Sequence, residues 1–429
     1  MSTAVSIVRT LLGLLFDHTI GNIVRMVPII RLPKLERGPV SRGFLALLLG
    51  ILFFGLTMLF SASYSSAYAT SGKLYSIIKP QVMIAIVGLF FMWVLSNINY
   101  RALRLMSESL YIITIVLLIL TLLSPEDTNG TYRWVYLPGG ASFQPSELVK
   151  LAFVLAGAAT LDRLFAKRNL IFTVLFSAYC VGCLALMSDF GTALVFFVAF
   201  LCIAFLRTGD LASIVMMTAA AGFAGGLVLH FKPYVAQRFT VWRHAWEFTQ
   251  TTGYQQSRTM SAAASGGLFG TGPEDAWLKY VGAANTDLVF GVVSEEFGLL
   301  LALVCVTAVM ALAAFALRAG DSARSSFYAI AACGAASMLI FQTSLNVLGA
   351  VDILPLTGVT FPFVSMGGSS MLSCWGLLAY LKAVDVRRPP EKEISPPPKS
   401  EKTPERQEGF FDGIPGVPVD EIFGKEERS

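Results

Sequence analysis

Residues 279–298, KYVGAANTDLVFGVVSEEFG, change from a polar loop into a long apolar helix. Asp287 lies where the change occurs, and Glu295 and Glu296 follow about two turns further on. Ionisable side chains at this kind of membrane-edge position are rare, because removing a charge from water is costly. We therefore expect Asp287 to be a functional residue. The structural alternative is that Asp287 caps the helix that follows and that the two glutamates pair with a basic neighbour.

The composition is that of a membrane protein. Of 429 residues, 55% are hydrophobic and 14% are charged, with a mean hydropathy of +0.66. A soluble chain carries about 25% charged residues. Ten apolar runs are long enough to cross about 30 Å of hydrocarbon, at residues 44–63, 80–98, 110–124, 146–165, 170–187, 191–206, 211–230, 288–317, 327–347 and 369–386. The prediction is an all-α polytopic membrane protein with about ten transmembrane helices.

An even number of helices places both termini on one side, and basic residues in the short loops indicate which side. The short loops opposite the termini carry three basic residues, Lys73, Lys79 and Arg133. Those on the side of the termini carry eight, namely Arg101, Arg104, Arg163, Lys167, Arg168, Arg207, Arg318 and Arg324. We therefore expect both termini in the cytoplasm. The large loop 231–287, between helices seven and eight, is then extracytoplasmic.

The two ends of the chain differ from the apolar domain at 44–386. Residues 1–43 carry scattered Arg and Lys and no convincing cleavage site, which indicates an amphipathic helix on the cytoplasmic leaflet. From 387 to 429 the chain is rich in Pro, Glu, Lys and Ser, a composition typical of a disordered tail. All six cysteines lie in apolar runs, so we expect no disulfide framework. No basic-aromatic pattern points to nucleic acid.

A second set of polar residues lies between helices three and four. Arg133 stands beside Trp134, as at a membrane interface. Ser146 is predicted to cap helix four, which places Glu147 and Lys150 one turn apart on one face. A structural ion pair is one interpretation of these two residues, and a role in the site is the other.

Three further segments join this set. Asp189 lies at the turn between helices five and six, where a helix cap is the alternative to a site residue. The glycine-rich run 265–272 is predicted to make tight turns, which we favour over a nest of N–H groups for an anion. Residues 352–370, apolar but rich in Pro and Gly and including Ser365, indicate a re-entrant loop that lines a cavity.

The predicted topology gathers all these residues at the outer face, whereas a transporter would hold them near the midplane. No nucleoside triphosphate is present outside the cell. A reaction at this face therefore needs a substrate that arrives activated and bound to lipid.

In this order, the motifs resemble the SEDS family (shape, elongation, division and sporulation) over residues 44–386. The matching segments are Ser61-Ala-Ser, Arg133-Trp134, the run 143–150, Asp189-Phe-Gly-Thr192, Gly253-Tyr-Gln, the run 265–272, Thr286-Asp287 with Glu295-Glu296, Pro355-Leu-Thr-Gly and the run 362–370. The chain departs from the family pattern at three places: Met366 replaces the usual Tyr, Ser188 the usual Pro, and Ala283-Ala284-Asn285 a common Glu-Ala-His. These departures bear on fine substrate contacts and not on the reaction.

The resemblance implies a membrane glycosyltransferase that polymerises lipid II into peptidoglycan. Asp287 matches the essential aspartate of the family, with the proposed role of general base. It would take the proton from the 4-hydroxyl of the acceptor N-acetylglucosamine, with inversion to a β-1,4 linkage. The candidates to stabilise the leaving undecaprenyl pyrophosphate are a divalent cation (Mg²⁺ or Mn²⁺) and the basic residues Arg133, Lys150 and Lys79. Further candidates for substrate binding are Glu147, Asp189 and Ser365.

The implied partners are a class B penicillin-binding protein and other divisome or elongasome proteins. Three other functions remain as alternatives: a lipid II flippase, a scaffold that activates the penicillin-binding protein, and another lipid-linked sugar ligase, such as an O-antigen ligase. Polar residues on one side disfavour the flippase, and the intact Thr286-Asp287 disfavours a scaffold. The Gln-Pro-Ser-Glu and Gly-Gly-Ser-Ser runs disfavour the ligase. The sequence leaves open whether the protein serves division, elongation or sporulation.

Overall fold

The computed structural model describes residues 50, 55, 74–98, 100–124, 133–136, 142–162, 167–231, 233–321 and 326–386. The predicted leader 1–43 and tail 387–429 lie outside these residues, as does almost all of the first predicted helix, 44–63. Those three predictions therefore stay predictions.

Helices make up most of the described chain. The α-helices are α1 (Leu74–Asn97), α2 (Tyr100–Leu122), α3 (Pro145–Asp162), α4 (Lys167–Leu186), α5 (Phe190–Thr208), α6 (Leu211–Phe231), α7 (Pro233–Val241), α8 (Tyr254–Gly266), α9 (Val289–Asp321), α10 (Ser326–Ala350) and α11 (Gly368–Val386). A short antiparallel hairpin of β1 (Val135–Tyr136) and β2 (Ser142–Phe143) joins α2 to α3, and a 3₁₀ turn covers Leu278–Tyr280.

Within the described residues, each of the other nine predicted spans coincides with a helix. Two begin at least six residues earlier than predicted: α1 at Leu74 instead of 80, and α2 at Tyr100 instead of 110. An apolar window detects only the part of a helix in hydrocarbon, whereas the backbone ladder continues through polar residues. Arg101 and Arg104, predicted in a short loop, consequently lie in the first turns of α2.

The core is centred on α10, which contacts α3, α5, α9 and α11. Large side chains such as Phe196, Phe327 and Trp375 are fully buried there. The outer surface is also apolar: Phe90, Leu175, Met216 and Val304 are 57% exposed or more. Such an exterior is suited to contact with lipid, because exposing so much apolar surface to water is unfavourable.

Two of the described helices meet a length and hydropathy test for crossing a membrane, Val289–Leu312 and Ser326–Ala350, and five shorter apolar helices accompany them.

The loop predicted at 231–287 has its own secondary structure. It contains α7, a series of turns, α8 and the 3₁₀ turn, and both α8 and the 3₁₀ turn pack against α9. This packing puts the loop beside the residues that precede α9, where Asp287 lies.

The glycine-rich run 265–272 packs against a break in α9. At Gly298 the backbone leaves the helical region (φ 87°, ψ 163°). Thr271 N and Gly272 N donate to Glu295 O and Glu296 O at 2.8 and 3.0 Å, and Leu299 N donates to Gly267 O at 3.0 Å. These N–H groups bind protein carbonyls, which confirms the prediction of tight turns over an anion nest.

Candidate active site

Asp287 is held by a turn just before α9. The N–H groups of Asp287 and Leu288 donate to Ala283 O at 3.0 and 3.2 Å, with Ala283 at φ 65°. Because α9 begins at Val289, Asp287 lies one residue before the cap position. The residue is half-buried.

Arg133 and Asp287 meet over Gly358. A Cβ added to Gly358 would lie 3.1 Å from Asp287 Oδ2 and 3.6 Å from Arg133 Nη1. Gly358 has φ 70°, a conformation that other residues rarely adopt. The carboxylate and the guanidinium therefore face one small space, which a side chain at this position would fill.

Arg238 of α7 brings a second positive charge to the site. Its Nη1 donates to Leu356 O at 2.9 Å, two residues before Gly358. Burial raises the pKa of Asp287 above its ordinary value, while the charges of Arg133 and Arg238 and a hydrogen bond from Thr286 oppose the rise. The charge of Asp189 adds to the rise. Burial has the largest effect, which makes the carboxylate more basic than an exposed one.

Asp189 is the cap of α5, as the structural alternative proposed. Its Oδ1 accepts from Thr192 N at 3.4 Å, and its Oδ2 accepts from Gln144 Nε2 at 3.5 Å. The residue is 2% exposed. Asp189 therefore acts on the site through its charge and not by direct contact with solvent-borne groups.

Glu147 and Lys150 form the predicted ion pair, deep in the protein. Lys150 Nζ donates at 2.9 Å to both oxygens of Glu147 and to Gln342 Oε1. Gln342 Nε2 in turn donates to Thr360 O at 2.9 Å and to its hydroxyl at 3.0 Å. Lys150 is 1% exposed with all three donors used, so it does not reach a pyrophosphate.

One predicted detail near these residues is wrong. Ser146 does not precede the helix as a cap, because α3 begins at Pro145, and proline is well suited to the first helical position. For Glu295, the structural alternative of an ion pair does not hold among the residues that the structure describes. Its carboxylate accepts from the backbone N–H groups of Trp277 and Leu278 at 3.0 Å each, which anchors the 3₁₀ turn to α9.

Ser365 connects two segments of backbone. Its Oγ accepts from Phe361 N at 2.7 Å and donates to Thr286 O at 2.6 Å. Met366 N donates to Asn285 O at 2.8 Å beside it. The irregular segment 352–367 is therefore fastened to the residues that carry Asp287, while its role as a cavity-lining loop stays a prediction.

Sequence reasoning missed Arg238, Gln342, Asn346 and Gly358 as parts of the site. Gln342 and Asn346 gave a usable signal, since they are amides one turn apart on an otherwise apolar helix. Gly358 lies in a quoted motif, but its contact with Asp287 is not visible in sequence. Lys79 lies on α1, and its side chain is outside the described part of the structure.

Among the described residues, no group of three or more His, Cys, Asp or Glu side chains could hold a metal ion. Asp189 and Asp287 are the carboxylates at the site, and Asp189 is already bound to protein donors.

The apolar helices, together with the polar site around Asp287, are typical of a polytopic membrane protein. The chain belongs to the family of FtsW, RodA and SpoVE, whose model, described as "cell cycle protein", matches residues 42–389. This match confirms the resemblance found in the sequence.

Individual relatives agree. A probable peptidoglycan glycosyltransferase FtsW of Coxiella burnetii is 31% identical over 76% of this chain and 90% of its own length. Stage V sporulation protein E of Bacillus subtilis is 29% identical over 75% of this chain and 90% of its own. A chain solved in a peptidoglycan synthase complex that coordinates polymerization and crosslinking has a TM-score of 0.67 at 25% identity, over 82% of this chain and 98% of that one.

Proposed function

We propose that the protein is a peptidoglycan glycosyltransferase that polymerises lipid II, with Asp287 as general base. The observation that carries the proposal is the space over Gly358, which a basic carboxylate and a guanidinium face together. The names of the relatives support the same reaction.

The reaction needs one proton transfer and one displacement. Asp287 accepts the proton of the acceptor's 4-hydroxyl as that oxygen attacks the anomeric carbon of the donor glycan. The bond to the pyrophosphate breaks on the opposite face, so the α-linked donor becomes a β-1,4 product. A base with a raised pKa takes this proton more readily than an ordinary aspartate.

The leaving pyrophosphate gains negative charge, and the two arginines are placed to stabilise it. Arg133 faces the space over Gly358, and Arg238 is fixed at Leu356 beside it. Preorganised cations of this kind stabilise developing charge without reorganisation. A divalent ion, which the family resemblance favours, would arrive on the pyrophosphate of the substrate.

The site belongs on the outer face of the bacterial cytoplasmic membrane, with both termini in the cytoplasm. The excess of Arg and Lys in the opposite short loops supports this orientation. A class B penicillin-binding protein is the proposed partner, since a similar chain was solved in a synthase complex that also crosslinks.

Glycan synthesis from lipid II by the purified protein tests the proposal. Wild type, Asp287→Ala, Asp287→Asn and the control Asp210→Asn would be compared with and without the penicillin-binding protein. Asp210 is an exposed carboxylate that accepts from Ala212 N and Ser213 N at the start of α6. We expect glycan from wild type and Asp210→Asn and none from either Asp287 variant.

Two results would overturn the proposal. If both Asp287 variants make glycan, Asp287 is not the general base. No glycan from wild type with its partner present would leave the flippase or the scaffold as the function, and lipid II transfer across vesicles would then separate these two.

A further inference from the structure

Asn346 of α10 lies under the active site and has no part in the chemistry described so far. It is 2% exposed, and it is an amide on an apolar helix. Its Nδ2 donates to Asp287 O at 2.9 Å and to Val359 O at 2.8 Å. Both hydrogens of one amide group are therefore used on two chain segments far apart in sequence.

These two segments hold the opposite sides of the space over Gly358. Asp287 supplies the carboxylate, and Val359 directly follows Gly358. Ser365 also joins the segments, but through Thr286 and Phe361. Asn346 ends on Asp287 itself and on the neighbour of Gly358.

We propose that Asn346 is a positioning residue, which sets the distance between the base Asp287 and the substrate space at Gly358. This inference rests on the proposed glycosyltransferase function and assigns the residue that aligns its base. Side chains that lack two N–H donors let the segments separate, and a displacement of about 1 Å can lower a rate about 100-fold.

Asn346→Leu and Asn346→Asp are the test variants, since each keeps the size of the side chain and removes both donors. Thr343→Val is the matched control: Thr343 is 1% exposed on the same helix, and its hydroxyl donates to Leu339 O within that helix. Asn346→Gln keeps the amide and serves as the conservative variant. Thermal unfolding in detergent would accompany each assay of lipid II polymerisation.

We expect Asn346→Leu and Asn346→Asp to lower kcat about 100-fold and to change KM less than about threefold. Thr343→Val should lose stability without losing kcat, and Asn346→Gln should recover part of the rate. If kcat falls in proportion to the loss of stability in Thr343→Val, and the same relation holds for Asn346→Leu, then Asn346 acts through folding alone.

The pH profile gives a readout that a structural role would not move. The charged groups facing Asp287 are Arg133 before β1, Arg238 of α7 and Asp189 at the start of α5. If the segments separate, Asp287 becomes more exposed to water and its pKa falls toward the ordinary value. The acidic limb of kcat should therefore move to lower pH in Asn346→Leu and stay in place in Thr343→Val.

The outcomes separate this inference from the proposed function. If wild type makes no glycan, the proposed function fails. If wild type makes glycan and Asn346→Leu keeps both kcat and the position of the acidic limb, only the positioning role fails.

Discussion

At the scale of single residues, the site depends as much on the lack of a side chain at Gly358 as on the carboxylate of Asp287. The missing side chain leaves the carboxylate and Arg133 facing one space. The sequence did identify Asp287 and Arg133, because charge beside apolar helices is conspicuous. It did not identify Gly358 as a neighbour of Asp287, because about 70 residues separate the two and no local pattern reports such contacts.

Gly358→Ala should abolish polymerisation. The new methyl group would lie 3.1 Å from Asp287 Oδ2, in the position that we assign to substrate. Gly209→Ala is the control, since Gly209 has φ 63° and no atom within 4 Å of an added Cβ. Each change costs about 1–2 kcal/mol through the left-handed backbone. Equal activity in the two variants, measured with lipid II, would contradict the assignment of this space.

Asp287→Asn should stabilise the folded protein at neutral pH. Burial raises the pKa of Asp287, so the folded protein holds this proton more tightly than the unfolded chain. Stability is therefore lost as the pH rises from the ordinary aspartate pKa through the folded pKa. The variant has no such loss, and its advantage should vanish at acidic pH. Thermal unfolding of both proteins between about pH 3 and pH 8 measures the difference; a variant less stable at neutral pH would contradict it.

At the scale of elements, helices were predictable and their junctions were not. Apolar runs marked nine helices, but the break of α9 at Gly298 lies inside what the sequence predicts as one span, 288–317. The break follows from long-range contacts: Leu299 N and Leu300 N donate to Gly267 O and Leu268 O. Likewise, the Gln342 link from Lys150 to Thr360 joins three elements, and spacing within one helix cannot reveal it.

Gly270→Ala should destabilise the outer loop more than Gly272→Ala. The two glycines have almost the same φ, 85° and 87°, so the backbone strain is matched. An added Cβ at Gly270 would lie 2.3 Å from Glu296 O, whereas at Gly272 it would meet nothing within 4 Å. We expect about 1–2 kcal/mol of strain in both and about 1–3 kcal/mol more for Gly270→Ala. Thermal unfolding in detergent measures this; equal losses would contradict the packing of this run on α9.

At the scale of the whole molecule, the polar residues of the site gather around Asp287, between the large loop and the segment 352–367. The composition predicted the membrane class and most of this set, whereas the side of the membrane on which it lies stays a prediction from loop charges. The sequence did not show which of these residues can contact a substrate. Lys150 and Glu147 form a buried ion pair, while Arg238 reaches the site from the large loop. Whether a polar residue can bind a substrate depends on whether its hydrogen-bond donors already bind protein groups, and only three-dimensional contacts show this.

The proposed orientation makes a direct prediction for labelling. Phe269, in the large loop, is 82% exposed, and Asp210 lies in the exposed turn between α5 and α6. A membrane-impermeant maleimide should label Phe269→Cys in intact cells and Asp210→Cys only after lysis. The parent protein, with its six native cysteines, gives the background. Labelling of Asp210→Cys in intact cells would invert the topology.

The bonds that hold Asp287 in place have an evolutionary consequence. They end on main-chain atoms, namely Asp287 O, Thr286 O and Asn285 O on one segment and Val359 O, Phe361 N and Met366 N on the other. Main-chain atoms persist whatever side chain a position carries. Positions such as Met366 and 283–285, where this chain departs from its family, are therefore able to diversify without displacing the base. Substitutions at these positions can change contacts with the substrate while the base stays in place.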